Sequence, residues 1–263
     1  MARAKRHYIP GQIWHLTHRC HKREFLLKLV QDKRRWLQWL FEAKKRYGLV
    51  ILNYTVTSNH IHLLAFDEKG RDVIPHSIKL VAGRTGQEYN IRKKRKGAFW
   101  EDRYHATAIE SDEHLIKCLT YIDLNMVRNG VVLHPSEWPF GGYNEIQEPR
   151  RKNRLIAYEK LAELSGFESY DAFRKTHKDL VDESLANGDN FRQHQWTESI
   201  AVGSKLFIET IREKLGTLAM GRKVVENDGV FQLREETGTY IVNYEGKNAN
   251  IEAKNTFYWD INC

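Results

Sequence analysis

His60 and His62 flank a single apolar residue in the run Thr57-Ser58-Asn59-His60-Ile61-His62-Leu63-Leu64. In a β-strand, residues two apart point to the same face. The two imidazoles therefore project side by side, and Ile61 points away toward a core. Further along, Tyr121-Ile122-Asp123-Leu124-Asn125 sets a phenol and an amide four residues apart. On a helix these are neighbours on one face. If the helix packs on the strand, two imidazoles, an amide oxygen and a phenol converge. Two histidines and an amide oxygen make a metal site with open positions for water or a phosphate. A metal there acts as a Lewis acid on a phosphoryl oxygen. A tyrosine is a weak nucleophile near neutral pH, since its ordinary pKa is about 10. It becomes useful when a phosphate is polarised and held in line. Its product, a phosphotyrosine ester, conserves bond energy for later rejoining, which a hydrolase does not need.

Each residue alone has a plainer explanation. Histidines sit in strands for packing, a helical tyrosine is usually a half-buried core aromatic, and an asparagine is usually a surface or capping residue. The case for a site rests on their combination.

The elements that must position them follow from periodicity. Residues 11–19 alternate as a strand does. Residues 30–47 carry a helical stripe of Trp36, Leu37, Leu40, Phe41 and Ala43, with Gly48 as the C-terminal stop. Residues 49–55 and 60–66 read as hairpin strands around a Ser58-Asn59 turn. A helix over 75–91 and a strand over 104–109 follow. Ser111-Asp112-Glu113 resembles an N-terminal cap for a helix over about 112–128, ended by Asn129-Gly130. The order is that of an α+β, ferredoxin-like split βαββαβ core with an added helix carrying Tyr121. Residues 134–154, with Pro135, Pro139, Gly141-Gly142 and Pro149, read as a linker. Beyond it, 155–164, 170–185 and 204–215 read as helices. The tail over 230–261 is β-like, including Gly238–Tyr244 and Thr256–Ile261. The expected division is a catalytic region over 1–148 and a mostly helical accessory region over 149–263.

The chain has 263 residues, 41% of them apolar, with 7 Trp, 12 Tyr and 11 Phe, enough for a sizeable core. No apolar run is long enough to span a membrane and no signal-peptide pattern opens the chain. Cys20, Cys118 and Cys263 form no CxxC pair. The expectation is a reducing, cytoplasmic protein without cysteine zinc. Residues 1–100 hold 22 Lys+Arg against 7 Asp+Glu, a net +15, and the remainder is net −7. A strongly basic half points to a polyanion. The run Arg92-Lys93-Lys94-Arg95-Lys96, followed by Phe99-Trp100, has the composition of a single-strand groove.

These motifs resemble the REP-associated tyrosine transposases, a branch of the HUH single-strand (IS200-like) transposases. The resembling pieces are Trp14–Arg19, Val56–Leu64, Phe99–Tyr104, Tyr121–Arg128 and Trp138-Pro139-Phe140, spanning about residues 7–145. Where the family commonly has Asn-Pro-Val-Arg-Ala, this chain has Asn125-Met126-Val127-Arg128-Asn129. The resemblance implies an HUH fold and cleavage and rejoining of single-stranded DNA near hairpins through a 5′-phosphotyrosine. Tyr121 would be the nucleophile. His60, His62 and Asn125 would hold a divalent metal, Mg or Mn. Arg19, Arg92, Lys93, Lys94, Arg95, Lys96, Trp100, Arg103 and Arg128 would contact DNA, and Trp14 and Trp100 could stack bases. A monomer or homodimer is expected, with no membrane partner. Three rival readings stay open: a non-catalytic nucleic-acid-binding module, a relaxase- or replication-initiator-like nickase, and a metal-dependent RNA-processing enzyme.

Overall fold

The computed structural model describes residues 9–68, 72–188, 191–227 and 229–235. The first half runs β1 (Ile13–Arg19), α1 (Val30–Tyr47), β2 (Val50–Val56), β3 (His60–Phe66), α2 (Val73–Arg92), β4 (His105–Ile109) and α3 (Glu113–Asp123). A short α4 (Asn125–Arg128) follows, then α5 (Tyr143–Gln147), α6 (Tyr158–Leu164), α7 (Tyr170–Asn187) and α8 (Gln195–Glu198). The chain closes with β5 (Ala201–Gly203), α9 (Lys205–Leu215), β6 (Arg222–Asn227) and β7 (Val230–Glu235).

Strands β1 to β4 lie in the order β2-β3-β1-β4, with every neighbouring pair antiparallel. That order and those directions are the ferredoxin-like βαββαβ core expected from the periodicity. β5 then pairs parallel to β4, and β7 and β6 follow, completing a seven-stranded mixed sheet among the described residues.

Register decides what each face carries. Across β1 and β3, Arg19 opposes His60, Thr17 opposes His62 and His15 opposes Leu64. Across β1 and β4, Thr17 opposes His105 and His15 opposes Thr107. Residues opposed in a ladder share a face, so one face gathers His15, Thr17, Arg19, His60, His62 and His105. The opposite face carries Trp14, Leu16, Ile61, Leu63 and Ala108, all buried. His18 on that second face stacks on Trp100, whose indole N–H donates to Ala82 O of α2 at 3.0 Å. This places α2 over the apolar face and leaves the polar one for α3.

Three buried contacts pin the end of α3 to its surroundings. Asn53 Nδ2 donates to Asp123 Oδ1 at 2.9 Å. Thr55 Oγ1 donates to Ile122 O at 3.3 Å. His177 Nε2 of α7 meets Asp123 Oδ2 at 2.9 Å, with both side chains fully buried. The helix expected to run unbroken over 112–128 is instead interrupted at Leu124. Its N-terminus also differs: Asp112 has φ of 59° and its side chain makes no capping bond. The expected stop at Gly48 is present, with φ of 70° and its N–H bonded to Lys44 O.

Residues 134–154, expected as a linker, pack against β2. Trp138 Nε1 donates to Val56 O, and Gly142 N donates to Tyr54 O at 2.7 Å. A Cβ on Gly142 would fall 2.1 Å from Asn53 Oδ1, so only glycine permits this approach. Glu145, 1% exposed, accepts from the backbone N–H groups of Leu155 and Ile156. The prolines and glycines here shape a close-fitting connection. One core cluster runs from Ile9 to Leu233, so residues on both sides of the 148/149 division share it. Of the β-like tail, β7 lies within the described residues; Gly238–Tyr244 and Thr256–Ile261 lie outside them.

Candidate active site

β3 brings His60 and His62 to one face, with ring centroids 5.0 Å apart. The tight turn from Thr57 to His60 anchors the first of them: Thr57 N donates to His60 O. His60 Nδ1 lies 2.7 Å from Asn59 Oδ1, which receives its proton and leaves Nε2 bare. Burial, with Arg19, Arg128 and Arg192 nearby, pushes the His60 pKa down to about 4. His62 is 2% exposed, and burial holds it well below the ordinary imidazole value. Both rings are therefore neutral near pH 7, the state a metal ligand requires.

α3 and α4 supply the other side. Despite the break at Leu124, Tyr121 and Asn125 line the same cleft as the two histidines. Asn125 Nδ2 lies 3.0 Å from His62 Nε2, and Asn125 Oδ1 accepts from Asn129 Nδ2 at 3.2 Å. The Tyr121 ring meets the His62 ring edge-on at 6.1 Å. Arg128 lies over the Tyr121 ring, 4.0 Å from its centroid, and donates to the Tyr121 carbonyl at 2.7 Å. Burial raises the Tyr121 pKa above its ordinary value, and the Arg128 guanidinium opposes that rise. At rest the phenol is protonated, beside a cation placed to favour its ionised form.

These groups open onto a cleft of about 980 Å³. Arg19, Arg23, Arg103, Arg128 and Arg192 line it, against Glu101, Asp102 and Glu198. The balance is cationic, and guanidinium groups suit phosphate oxygens. Phe191, Arg192, Thr197 and Glu198 come from the segment around α8, so the C-terminal region forms part of the wall.

Among the expected DNA contacts, Arg19, Arg103 and Arg128 line this cleft. Arg92, Lys93, Lys94, Arg95 and Lys96 do not. Arg92 is paired with Asp32, and Arg95 reaches Glu24 and Ala98 O. Lys93, Lys94 and Lys96 are exposed at the end of α2. Trp14 is a core residue at 3% exposure and offers no stacking face. Trp100 is half-buried with one face against His18. Sequence reasoning missed His15, Arg23, Asn129 and Arg192. His15 alone had a signal, since alternation through Trp14-His15-Leu16-Thr17 puts it on the face of Thr17.

Among the described residues no group of three or more His, Cys, Asp or Glu is arranged to hold a metal. Cys20 and Cys118 are buried thiols, and burial pushes Cys20 up to about 12. An ion at this site would therefore rely on two neutral imidazoles and one amide. His62 Nε2 accepts from Asn125 Nδ2 and so carries the lone pair, which an ion would take in place of that hydrogen bond. The donor set fits a divalent ion that completes its shell with phosphate oxygen.

Residues 10–125 match the family model for IS200-like transposases. The chain is similar to a solved REP-associated tyrosine transposase bound to a REP hairpin, at 22% identity over 55% of this chain and 84% of that one, with a TM-score of 0.47. It is also similar to a candidate transposase from Deinococcus radiodurans R1, at 18% identity over 43% of this chain and 88% of that one, with a TM-score of 0.32. No curated protein matches. No helix among the described residues is long and apolar enough to cross a membrane. The segment holding His60, His62, Tyr121 and Asn125 is thus the one that matches the IS200-like transposase model.

Proposed function

We propose that the chain is a metal-dependent tyrosine transposase that cleaves and rejoins single-stranded DNA near hairpins. The observation that carries this reading is the convergence of His60, His62, Asn125 and Tyr121, all from the matched segment, in one arginine-lined cleft. Tyr121 Oη attacks the scissile phosphorus as the phenol gives up its proton. The Oη–P bond forms, the P–O3′ bond breaks, and the departing 3′ oxygen takes a proton. The 5′-phosphate stays esterified to Tyr121. Attack by a 3′-hydroxyl reverses these changes and rejoins a strand. Each step exchanges one phosphodiester for another, so no external energy source is required.

Arg128 stabilises the phenolate that develops as Tyr121 loses its proton. Arg19, Arg103 and Arg192 hold the backbone on either side of the scissile phosphate. A divalent Mg or Mn ion, when bound by His60, His62 and Asn125, would supply Lewis-acid polarisation of a phosphate oxygen. Residues 1–148 carry the chemistry and residues 149–263 are an accessory region, of which Phe191, Arg192, Thr197 and Glu198 wall the cleft. The reading is of a cytoplasmic enzyme, monomeric or homodimeric. The preference for hairpins follows from the resemblance of the motif set to the REP-associated enzymes.

The test is a cleavage assay with an oligonucleotide hairpin carrying a single-stranded 5′ flank. Cleavage should need Mg or Mn, stop in excess EDTA, and be absent on the same sequence held as a continuous duplex. Undiminished cutting in EDTA would remove the metal from the reading, and equal cutting of duplex would remove the single-strand preference.

A further inference from the structure

We propose that His15 is a positioning residue that holds His62 in the tautomer whose bare Nε2 faces the site, with the Trp196 carbonyl of the C-terminal region as the anchor. This role rests on the metal-site reading of His62 given above.

The fixed point is a backbone carbonyl, which can only accept, and Trp196 O lies 2.8 Å from His15 Nδ1. His15 Nδ1 must therefore carry a proton and donate it. Asn125 Nδ2, whose amide is oriented by Asn129 Nδ2 donating to its oxygen, can only donate, and it lies 3.0 Å from His62 Nε2. His62 therefore carries its proton on Nδ1, which leaves His15 Nε2 as the acceptor. His62 Nδ1 lies 2.8 Å from it and must donate. The proton of His62 is then spent on Nδ1, and its lone pair stands on Nε2, the nitrogen beside Asn125. The two rings are nearly coplanar, with 16° between planes and centroids 5.1 Å apart, so the hydrogen bond fixes the orientation of His62 as well as its tautomer.

The anchor is itself held. Thr107 Oγ1 donates to Ser199 O at 2.7 Å and approaches Trp196 O at 3.3 Å, fastening α8 to β4. The Trp196 side chain is 1% exposed. A histidine kept only for packing would need no such series from a main-chain acceptor to a candidate ligand. Metal-binding histidines commonly donate their second ring N–H to an acceptor that sets tautomer and orientation. Here that acceptor is another imidazole, and the group that sets it belongs to residue 196, outside the matched span of 10–125.

The test uses full-length, metal-free protein labelled with 15N-histidine. Two-bond N–H correlation spectra report which ring nitrogen of each histidine is protonated. The expected result is protonation on Nδ1 and a bare Nε2 for both His15 and His62. A His62 protonated on Nε2 overturns the proposal in the wild type, whatever any variant does. Titration with Mn alone, read by electron paramagnetic resonance of the free ion, gives the second readout. His15→Phe should weaken Mn binding by about 10- to 100-fold. His15→Gln, which keeps an acceptor oxygen where Nε2 stood, should recover much of that loss. Equal Mn affinity in wild type and folded His15→Phe overturns the proposal, as does an equal loss in His15→Phe and His15→Gln. Failure of the wild type to bind Mn is a different outcome: it defeats the metal reading, and the ring-proton pattern still decides the tautomer.

Discussion

Two basic regions of the molecule look alike in composition and differ in what surrounds them. The run Arg92–Lys96 is consecutive and exposed, and its two arginines are engaged by Asp32 and by Glu24 with Ala98 O. The cleft arginines, Arg19, Arg23, Arg103, Arg128 and Arg192, are scattered along the chain and meet only in the fold. One of them is half-buried against the Tyr121 ring. Charge density along a sequence thus marks long-range attraction, whereas chemistry needs charge that converges on one atom. In water and salt an exposed lysine acts weakly and over about a Debye length. A guanidinium partly removed from solvent and aimed at a phenol acts far more strongly.

The largest effect should come from removing the phenol oxygen proposed as the nucleophile. Tyr121→Phe should abolish strand cleavage in a gel assay and leave hairpin affinity nearly unchanged, because the phenol oxygen serves chemistry and not binding. Retained cleavage would point to another nucleophile, with Tyr104 the first to test. Next in size, His62→Ala and His60→Ala should each cut the rate by several orders of magnitude, and excess Mn should restore Asn125→Ala better than either. Arg128→Ala should slow cleavage by roughly 100-fold, as loss of one preorganised charge-stabilising group does. Its effect on DNA affinity should be much smaller. If affinity falls as steeply as rate, Arg128 is a phosphate clamp and not a partner of the phenol.

Acidity separates the two regions in another way, since the cleft side is buried and the run is not. Burial lowers His15 to about 3 and His60 to about 4, against an ordinary 6.5. Between those limits the unfolded chain binds protons that the folded chain refuses. Stability of the metal-free protein should therefore be full above about pH 6.5 and fall as pH drops toward 4. Each tenfold weakening of proton binding on folding is worth about 1.4 kcal/mol, so the loss is on the order of several kcal/mol. Chemical denaturation across this range checks it, and a flat profile would mean the histidines are protonated in the folded state. The smallest effect belongs to the run. Charge reversal at Lys93, Lys94 and Lys96 should flatten the salt dependence of DNA binding, by roughly 0.7 in log–log slope per lost contact. The cleavage rate at saturating DNA should not change. An unchanged slope would make the run a solvated face.

Much of the site was legible because its parts obey local rules. The helix over residues 30–47 and the strand over 60–66 match α1 and β3 to the residue. The former has a strong apolar stripe and a glycine stop, the latter a hairpin turn before it. His60, His62, Tyr121 and Asn125 could be grouped because periods of two and four are short-range geometry. The break at Leu124 was invisible, as no glycine or proline marks it, yet it leaves Tyr121 and Asn125 in one cleft. Of the arginine lining, Arg19, Arg103 and Arg128 were expected as DNA contacts, whereas Arg23 and Arg192 were not, because their place in the cleft depends on sheet register and on where α8 docks. Residues 134–154 misled for a related reason. Proline and glycine break regular structure whether the chain then leaves the core or, as at Gly142, presses closely against it.

Everything proposed for the cleft requires that Tyr121 become covalently joined to DNA. The adduct can be sought by mass spectrometry of the protein after incubation with Mn and a hairpin whose scissile site lies in a single-stranded flank, followed by nuclease and protease digestion. A nucleotide phosphate is expected on the peptide containing Tyr121, in wild type and not in Tyr121→Phe. Cleaved DNA with no protein adduct, or an adduct on any other residue, would contradict the role given to Tyr121.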